Sequence, residues 1–428
     1  QQHHHRHRRK KNKPSSQQAS TIMLQSVCKC VFFAAYLSSL WPVASSEQDT
    51  GFPPLIDHDD ISYFFEAGDF DGLHWALSNI FYFSERNIDV ASVKHALPEQ
   101  LIARGGGSSY TTTYKILHDL EQAEYLAKNL EDEEEATVFG DVIAPIFREL
   151  LARLPHLDEL QQTGGLYAFQ KTDYELGIAS VYNKALHQSN FDELRDENGN
   201  LVPLLNPELD VETIESAWKE TGVVVIDNLL TREALERIRQ LMLESTVFYQ
   251  TKMPLKFGGY VGAYIDDGLH DRILLQLGFE LYHRLPKIMK GNFLKYLWAY
   301  KYDSEFTGIN IHADQAAVNV NIWLTPDDAN LDPASGGLVV FTAKPPMDWD
   351  FKKFNTDTEE VHELLLKPTN YANVTVPHRQ NRAVLFDSAL FHHTDRFSFK
   401  KGYENRRINL TFLYGEMQQL PSSTKSDL

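Results

Sequence analysis

The chain has 428 residues and 43% hydrophobic side chains, enough for a sizeable core in one large domain or two ordinary ones. Its formal charge is −18, and residues 1–22 alone contribute six Arg or Lys and no acid, so the remainder carries about −24. So acidic a body argues against nucleic acid as a partner, because neutralising phosphate needs clustered Lys and Arg.

Residues 1–22 read as a basic tail outside the fold. From Met23, Lys29 precedes an apolar stretch from Val31 to Val43 and small residues at Ala44–Ser46, the pattern of a signal peptide over residues 23–46. The stretch is short for a membrane span and Pro42 interrupts it, so the expectation is cleavage near Ala44–Ser46 and a secretory address, in the endoplasmic reticulum lumen or outside the cell. Cys28 and Cys30 both fall inside this segment, leaving the mature chain without a thiol. The final KSDL resembles a lumenal retention tail only faintly.

Over residues 50–195 the apolar side chains recur at helical spacing, as in Ile116, Leu117, Leu120, Ala123, Leu126 and Leu130, and a helical domain is expected there. Gly105–Gly107 with Ser108 and Ser109 reads as a flexible turn, and Glu131–Glu135 as a solvated helix end. The turn formers and prolines of Asp196–Asp210 mark a boundary, and a second domain is expected over residues 210–418. It opens with the β-branched run Val223–Ile226 and a helix capped by Thr231. Strand patterns follow at Leu297–Tyr302, Ile309–His312, Val318–Leu324, Leu338–Phe341, Val374–Val376, Arg382–Phe386 and Arg407–Tyr414. Few helical crossovers separate them, so a rolled or closed antiparallel sheet is expected within an α+β chain. Asn373-Val-Thr375 is an available glycosylation sequon, whereas Asn409-Leu-Thr411 falls in a strand expected to be buried.

His-x-Asp occurs four times, at His58, His156, His312 and His393, so the motif alone selects nothing. His58 and Asp60 open a helix, while His156 and Asp158 follow Pro155 in a connection. The third copy differs, because alternation in an extended segment puts Asn310, His312 and Asp314 on one face and Ile309 and Ile311 on the other. Asn319 and Asn321 repeat the polar face in the next strand. Two imidazoles and one carboxylate on one face of iron(II) leave positions for a bidentate oxo acid and dioxygen. His392 and His393, in NRAVLFDSALFHHTDR at the end of an apolar strand, offer the second imidazole. A planar Arg fork suits a dicarboxylate, and alternation puts Arg407, Asn409 and Thr411 on the polar face while Arg406 turns away.

With these residues, roughly Glu215 to Gly415 resembles the iron(II)- and 2-oxoglutarate-dependent oxygenases, with prolyl hydroxylases and phytanoyl-CoA hydroxylase among the relatives. The resemblance implies a double-stranded β-helix, a jelly-roll or cupin-like fold. It implies iron(II) as metal, and 2-oxoglutarate and O2 as co-substrates. It places the metal on His312, Asp314 and His392, with His393 the alternative, and the co-substrate on Arg407 with Tyr300, Tyr302, Asn321 and Asn409 around it. Gly336-Gly337 reads as a turn that shapes the fold. The activity implied is hydroxylation of a protein side chain or small molecule with release of succinate and CO2. The competing readings are a cupin-like metalloenzyme without an oxo acid and a binding or scaffold protein with a relic barrel.

Overall fold

The computed structural model describes residues 58–82, 110–189, 191–252, 254–303, 306–355 and 357–417. The basic tail, the signal-peptide segment, the Gly105–Gly107 turn and the KSDL terminus lie outside the described residues.

Helices α1 (His58–Ala67) and α2 (Phe70–Tyr82) bury Ile61, Phe65, Leu73, Leu77 and Phe81, all at helical spacing. Thr112 starts α3 (Thr113–Asn129) by accepting the Lys115 N–H, one of the donors a helix start leaves without an intrahelical partner. The acidic run forms the beginning of α4 (Glu133–Val138): Asp132 accepts from Glu134 N and Glu135 N, and the carboxylates sit where the helix dipole favours them. A single π-turn leads into α5 (Ala144–Arg153), and Leu126, Phe139, Phe147 and Leu150 close a core among these helices.

Beyond the turn-rich segment, Asp210 caps α6 (Val211–Thr221), which ends at Gly222 in the left-handed region (φ 67°) and gives way to β1 (Val223–Ile226). Thr231 caps α7 (Arg232–Glu244) by accepting from Ala234 N. The remaining strands are β2 (Gln250–Thr251), β3 (Tyr260–Tyr264), β4 (Leu294–Tyr302), β5 (Val318–Trp323), β6 (Leu338–Phe341), β7 (Asn373–Val376), β8 (Ala383–Asp387), β9 (His392–Thr394) and β10 (Arg407–Tyr414), with α8 (Arg272–Arg284) between β3 and β4.

Seven strands form one antiparallel sheet in the order β1-β8-β5-β10-β4-β3-β2, and three form a second, β9-β6-β7. The large sheet has two unlike faces because β5 and β10 alternate strictly. Val318, Val320, Ile322, Ile408, Leu410 and Phe412 pack with Ile238 and Leu241 of α7 and with Leu274 and Leu277 of α8 in one core. On the other face Trp323, Val384 and Phe386 meet Leu338, Val340 and Val376 of the small sheet. The cavity described below opens beside this second core, between residues of both sheets.

Six of the seven expected strands are present, with ends shifted by a few residues at most. The exception is Ile309–His312, which joins no ladder and makes one isolated bridge, His312 with His392. The expected alternation fails there as well, since Ile309, Asn310, Ile311, His312 and Asp314 all line the cavity. Its backbone bonds β9 at Ile309 and His312 but has no continuous ladder to hold it to a period of two, and it bends at Ile311. Its path is fixed from its ends: Gly308 N donates to Gly258 O at 3.0 Å, an approach so close that a Cβ on Gly258 would lie 1.5 Å from the Gly308 carbonyl oxygen.

The sequon at Asn373 lies on the exposed edge strand β7, while Asn409 is buried in β10. Among the described residues no helix is long and apolar enough to cross a membrane.

Candidate metal centre

His312 follows the bent segment, Asp314 comes two residues later, and His392 begins β9, which the bridge sets against His312 through paired backbone hydrogen bonds of 3.0 and 2.8 Å. Their side chains converge so that one ligand atom from each lies within 4.8 Å of the others. His312 Nε2 stands 3.7 Å from Asp314 Oδ1, and His392 Nε2 stands 3.4 Å from Asp314 Oδ2.

The opposite ring nitrogens decide what those contacts mean. His312 Nδ1 lies 2.8 Å from Asn310 O and His392 Nδ1 lies 2.9 Å from Leu390 O. A carbonyl oxygen only accepts, so both Nδ1 atoms carry the proton and both Nε2 lone pairs point inward at a carboxylate. Burial, reinforced by His392, holds His312 down to about 4, so near neutral pH it carries no second proton. Burial opposes ionisation of Asp314, but His392, His312 and the amide of Asn319 hold it below the usual carboxylate range. With a backbone carbonyl facing each Nδ1, the two Nε2 atoms and the Asp314 carboxylate are left facing one another, an arrangement that suits a divalent cation.

The other copies of the motif are elsewhere. His58 begins α1, and His156 precedes a 3₁₀ turn with Asp158 in its first turn. His393, the alternative to His392, turns its Nδ1 to Thr394 O at 2.7 Å and lays its ring beside Phe341.

The same cavity, about 930 Å³, is lined by Arg407, Asn321, Asn409, Tyr300 and Tyr302 as well as the three ligand candidates. Arg407 is 2% exposed and, among the described residues, makes no ion pair, whereas Arg406 reaches Glu121 and Asp303 on the other side of the strand. Nε of Arg407 donates to Gly336 O at 2.6 Å and Nη2 to Gly337 O at 3.0 Å, so the turn before β6 does more than reverse the chain. Both glycines are required there: Gly336 has φ 87°, and a Cβ on Gly337 would lie 1.9 Å from Val376 O. The ring of Tyr302 lies under the guanidinium, 4.6 Å from Cζ, and the Tyr300 hydroxyl meets that of Tyr264 at 3.0 Å.

No family model matches the chain, and no curated protein matches it. Solved structures similar to it include 2-oxoglutarate and iron(II) oxygenases. Pseudomonas putida prolyl-4-hydroxylase is 12% identical over 49% of this chain and 100% of that one, with a TM-score of 0.33. HygX from Streptomyces hygroscopicus, solved with nickel, 2-oxoglutarate and hygromycin B, is 14% identical over 48% and 86%, with a TM-score of 0.32. A Trichoplax adhaerens prolyl hydroxylase, in complex with a hypoxia inducible factor peptide fragment, is 16% identical over 48% and 89%, also at 0.32. At these values the reading of the site stands on its own geometry.

Tyr260 and Tyr264 of β3 line the cavity too, and the sequence reading passed them over. Their signal was the alternation in YVGAY, broken by Gly262. Glycine is needed at that position because a Cβ would lie 2.8 Å from the Tyr300 ring across the strand pair.

Behind the Gly336-Gly337 turn, His378 is 5% exposed between the rings of Trp323 and Phe399, and among the described residues neither ring nitrogen has a hydrogen-bond partner. Burial, with Arg407 and Arg382 nearby, holds this imidazole down to about 3 from its ordinary 6.5. Between those values the unfolded chain binds a proton that the folded chain refuses, so the stability it contributes is present above pH 6.5 and is lost as pH falls toward 3. Urea midpoints measured across that range should decline with falling pH, and His378→Phe should make the decline shallower.

Proposed function

We propose that the protein is an iron(II)- and 2-oxoglutarate-dependent oxygenase that hydroxylates a C–H bond of a protein side chain or small molecule and releases succinate and CO2. We also propose that its two sheets form the double-stranded β-helix of such enzymes. One observation carries the reading: two imidazoles and a carboxylate converge in the same cavity as a buried guanidinium that makes no ion pair among the described residues. Two His and one carboxylate suit non-haem iron(II) and leave positions for an oxo acid and dioxygen.

His312, Asp314 and His392 would hold the metal, with Nδ1 of each imidazole fixed by a backbone carbonyl so that Nε2 needs no reorientation. Iron(II), bound there with 2-oxoglutarate and O2, supplies the oxidising chemistry. A buried cation without a counter-charge is costly, and an entering carboxylate relieves that cost. Arg407 would therefore pair with the far carboxylate of the oxo acid. Its Nε and Nη2 are already committed to Gly336 and Gly337, which fixes the plane of the fork, and the Tyr302 ring beneath it keeps water from that side. Tyr300, Asn321 and Asn409 complete the lining around the oxo acid.

Anaerobic titration with iron(II) followed by 2-oxoglutarate tests the proposal. The expected result is one equivalent of each bound and a weak visible charge-transfer band that appears only when both are present. Failure to take up iron would instead leave a barrel that has lost its chemistry.

A further inference from the structure

The candidate metal centre and the guanidinium are joined by side chains. Asn319 Nδ2 donates to Asp314 Oδ2 at 2.8 Å, Asn321 Nδ2 to Asn319 Oδ1 at 2.6 Å, and Asn409 Nδ2 to Asn321 Oδ1 at 3.0 Å. Arg407 Nη1 completes the series on Asn409 Oδ1 at 3.5 Å, the loosest of the four contacts. All of these residues are 8% exposed or less, so water offers the amides little alternative.

The direction of such a chain is not free. A carboxylate only accepts and a guanidinium only donates, so Asn319 must turn its NH2 toward Asp314 and Asn409 must turn its oxygen toward Arg407. Each end dictates the same sense for the amide between them, and the three dipoles align. Reversing one amide sets oxygen against oxygen or NH2 against NH2 at its neighbour, which in a buried site costs more than a lost hydrogen bond. The register of β5 against β10, with Thr411 opposite Asn321, brings the two strands' amides into reach, and Thr411 Oγ1 adds a second donor to Asn321 Oδ1 at 2.9 Å.

We infer that Asn319, Asn321 and Asn409 are positioning residues that act as one oriented amide chain. The chain occupies Asp314 Oδ2, so that Asp314 presents Oδ1 to a divalent cation, and it passes the orientation set at Arg407 to the metal centre. This rests on the metal-centre reading above and adds a coupling between its two halves that neither half requires alone.

The test exploits a conflict of signs. Asn409→Asp is isosteric, touches no metal ligand, and gives Arg407 a buried counter-charge, so the fold should be kept or strengthened. Electrostatics alone predicts that the added negative charge raises affinity for a cation. The chain predicts the reverse. The new carboxylate cannot donate, so Asn321 must turn its NH2 toward it, Asn319 must turn in response, and an amide oxygen then faces Asp314. Titration of Co(II) in the absence of 2-oxoglutarate, followed by its visible spectrum, should show affinity falling at least about tenfold, the lower bound for losing an outer hydrogen bond to a metal ligand. Asn321→Asp forces the same reversal from the middle of the chain and should give the same fall.

Affinity that is unchanged or raised in folded Asn409→Asp, or in folded Asn321→Asp, overturns the inference while leaving the oxygenase reading intact. Failure of both variants to fold also overturns it, because the amides then serve the core rather than the site. Wild-type protein that takes up no Co(II) overturns the oxygenase reading itself, and this inference with it.

Discussion

Arg407→Ala should abolish tight 2-oxoglutarate binding while leaving metal uptake in place. The guanidinium is almost fully buried, its plane is set by two backbone carbonyls, and no carboxylate of the described chain pairs with it. A dicarboxylate entering the cavity would thus form a desolvated, hydrogen-bonded charge pair. Removing one partner of such a pair costs ~2–5 kcal/mol. At ~1.4 kcal/mol per tenfold, that is about 30-fold or more in affinity. Arg407→Lys keeps the charge but loses the fork and the hold of Gly336 and Gly337, so it should fall between wild type and Ala. The measurement is 2-oxoglutarate affinity by anaerobic titration of iron-loaded protein, with iron affinity alone as the internal reference. An Arg407→Ala protein that bound the oxo acid as wild type does would remove the reason for calling this an oxygenase rather than another metalloenzyme on a similar barrel.

Arg407 was legible in the sequence because β10 has two chemically distinct faces. Ile408, Leu410 and Phe412 belong to the helix-covered core, so strict alternation leaves Arg407, Asn409 and Thr411 on the cavity side and sends Arg406 to Glu121. Asn319 and Asn321 were legible for the same reason, between Val318, Val320 and Ile322. His312 and Asp314 were less legible, because the alternation that singles them out in the sequence is absent from the bent segment that carries them. Choosing His392 over His393 depends on the bridge to His312 and on the carbonyl of Leu390, both products of the backbone path. Side-chain periodicity carries no record of them. The carbonyl cradle of Arg407 was illegible likewise: a Gly-Gly pair announces a turn, but not what its oxygens will face.

Asp314→Asn should remove metal binding with little change in the apo fold. The substitution keeps volume and shape and preserves an oxygen that can accept from Asn319 Nδ2. What disappears is the only negative charge among the three ligand candidates, against which both imidazole lone pairs are set. The loss in affinity should exceed the ~10–100-fold that follows loss of an outer contact to a metal ligand. Stability gives a readout independent of turnover. A cation that binds only the folded chain adds about 2.7 kcal/mol when present at a hundred times its Kd, so wild-type Tm should rise on adding iron(II) or Co(II) and return when a chelator is added. In Asp314→Asn the same additions should leave Tm where it began. If the wild-type shift survived in this variant, the metal would be held somewhere other than His312, Asp314 and His392.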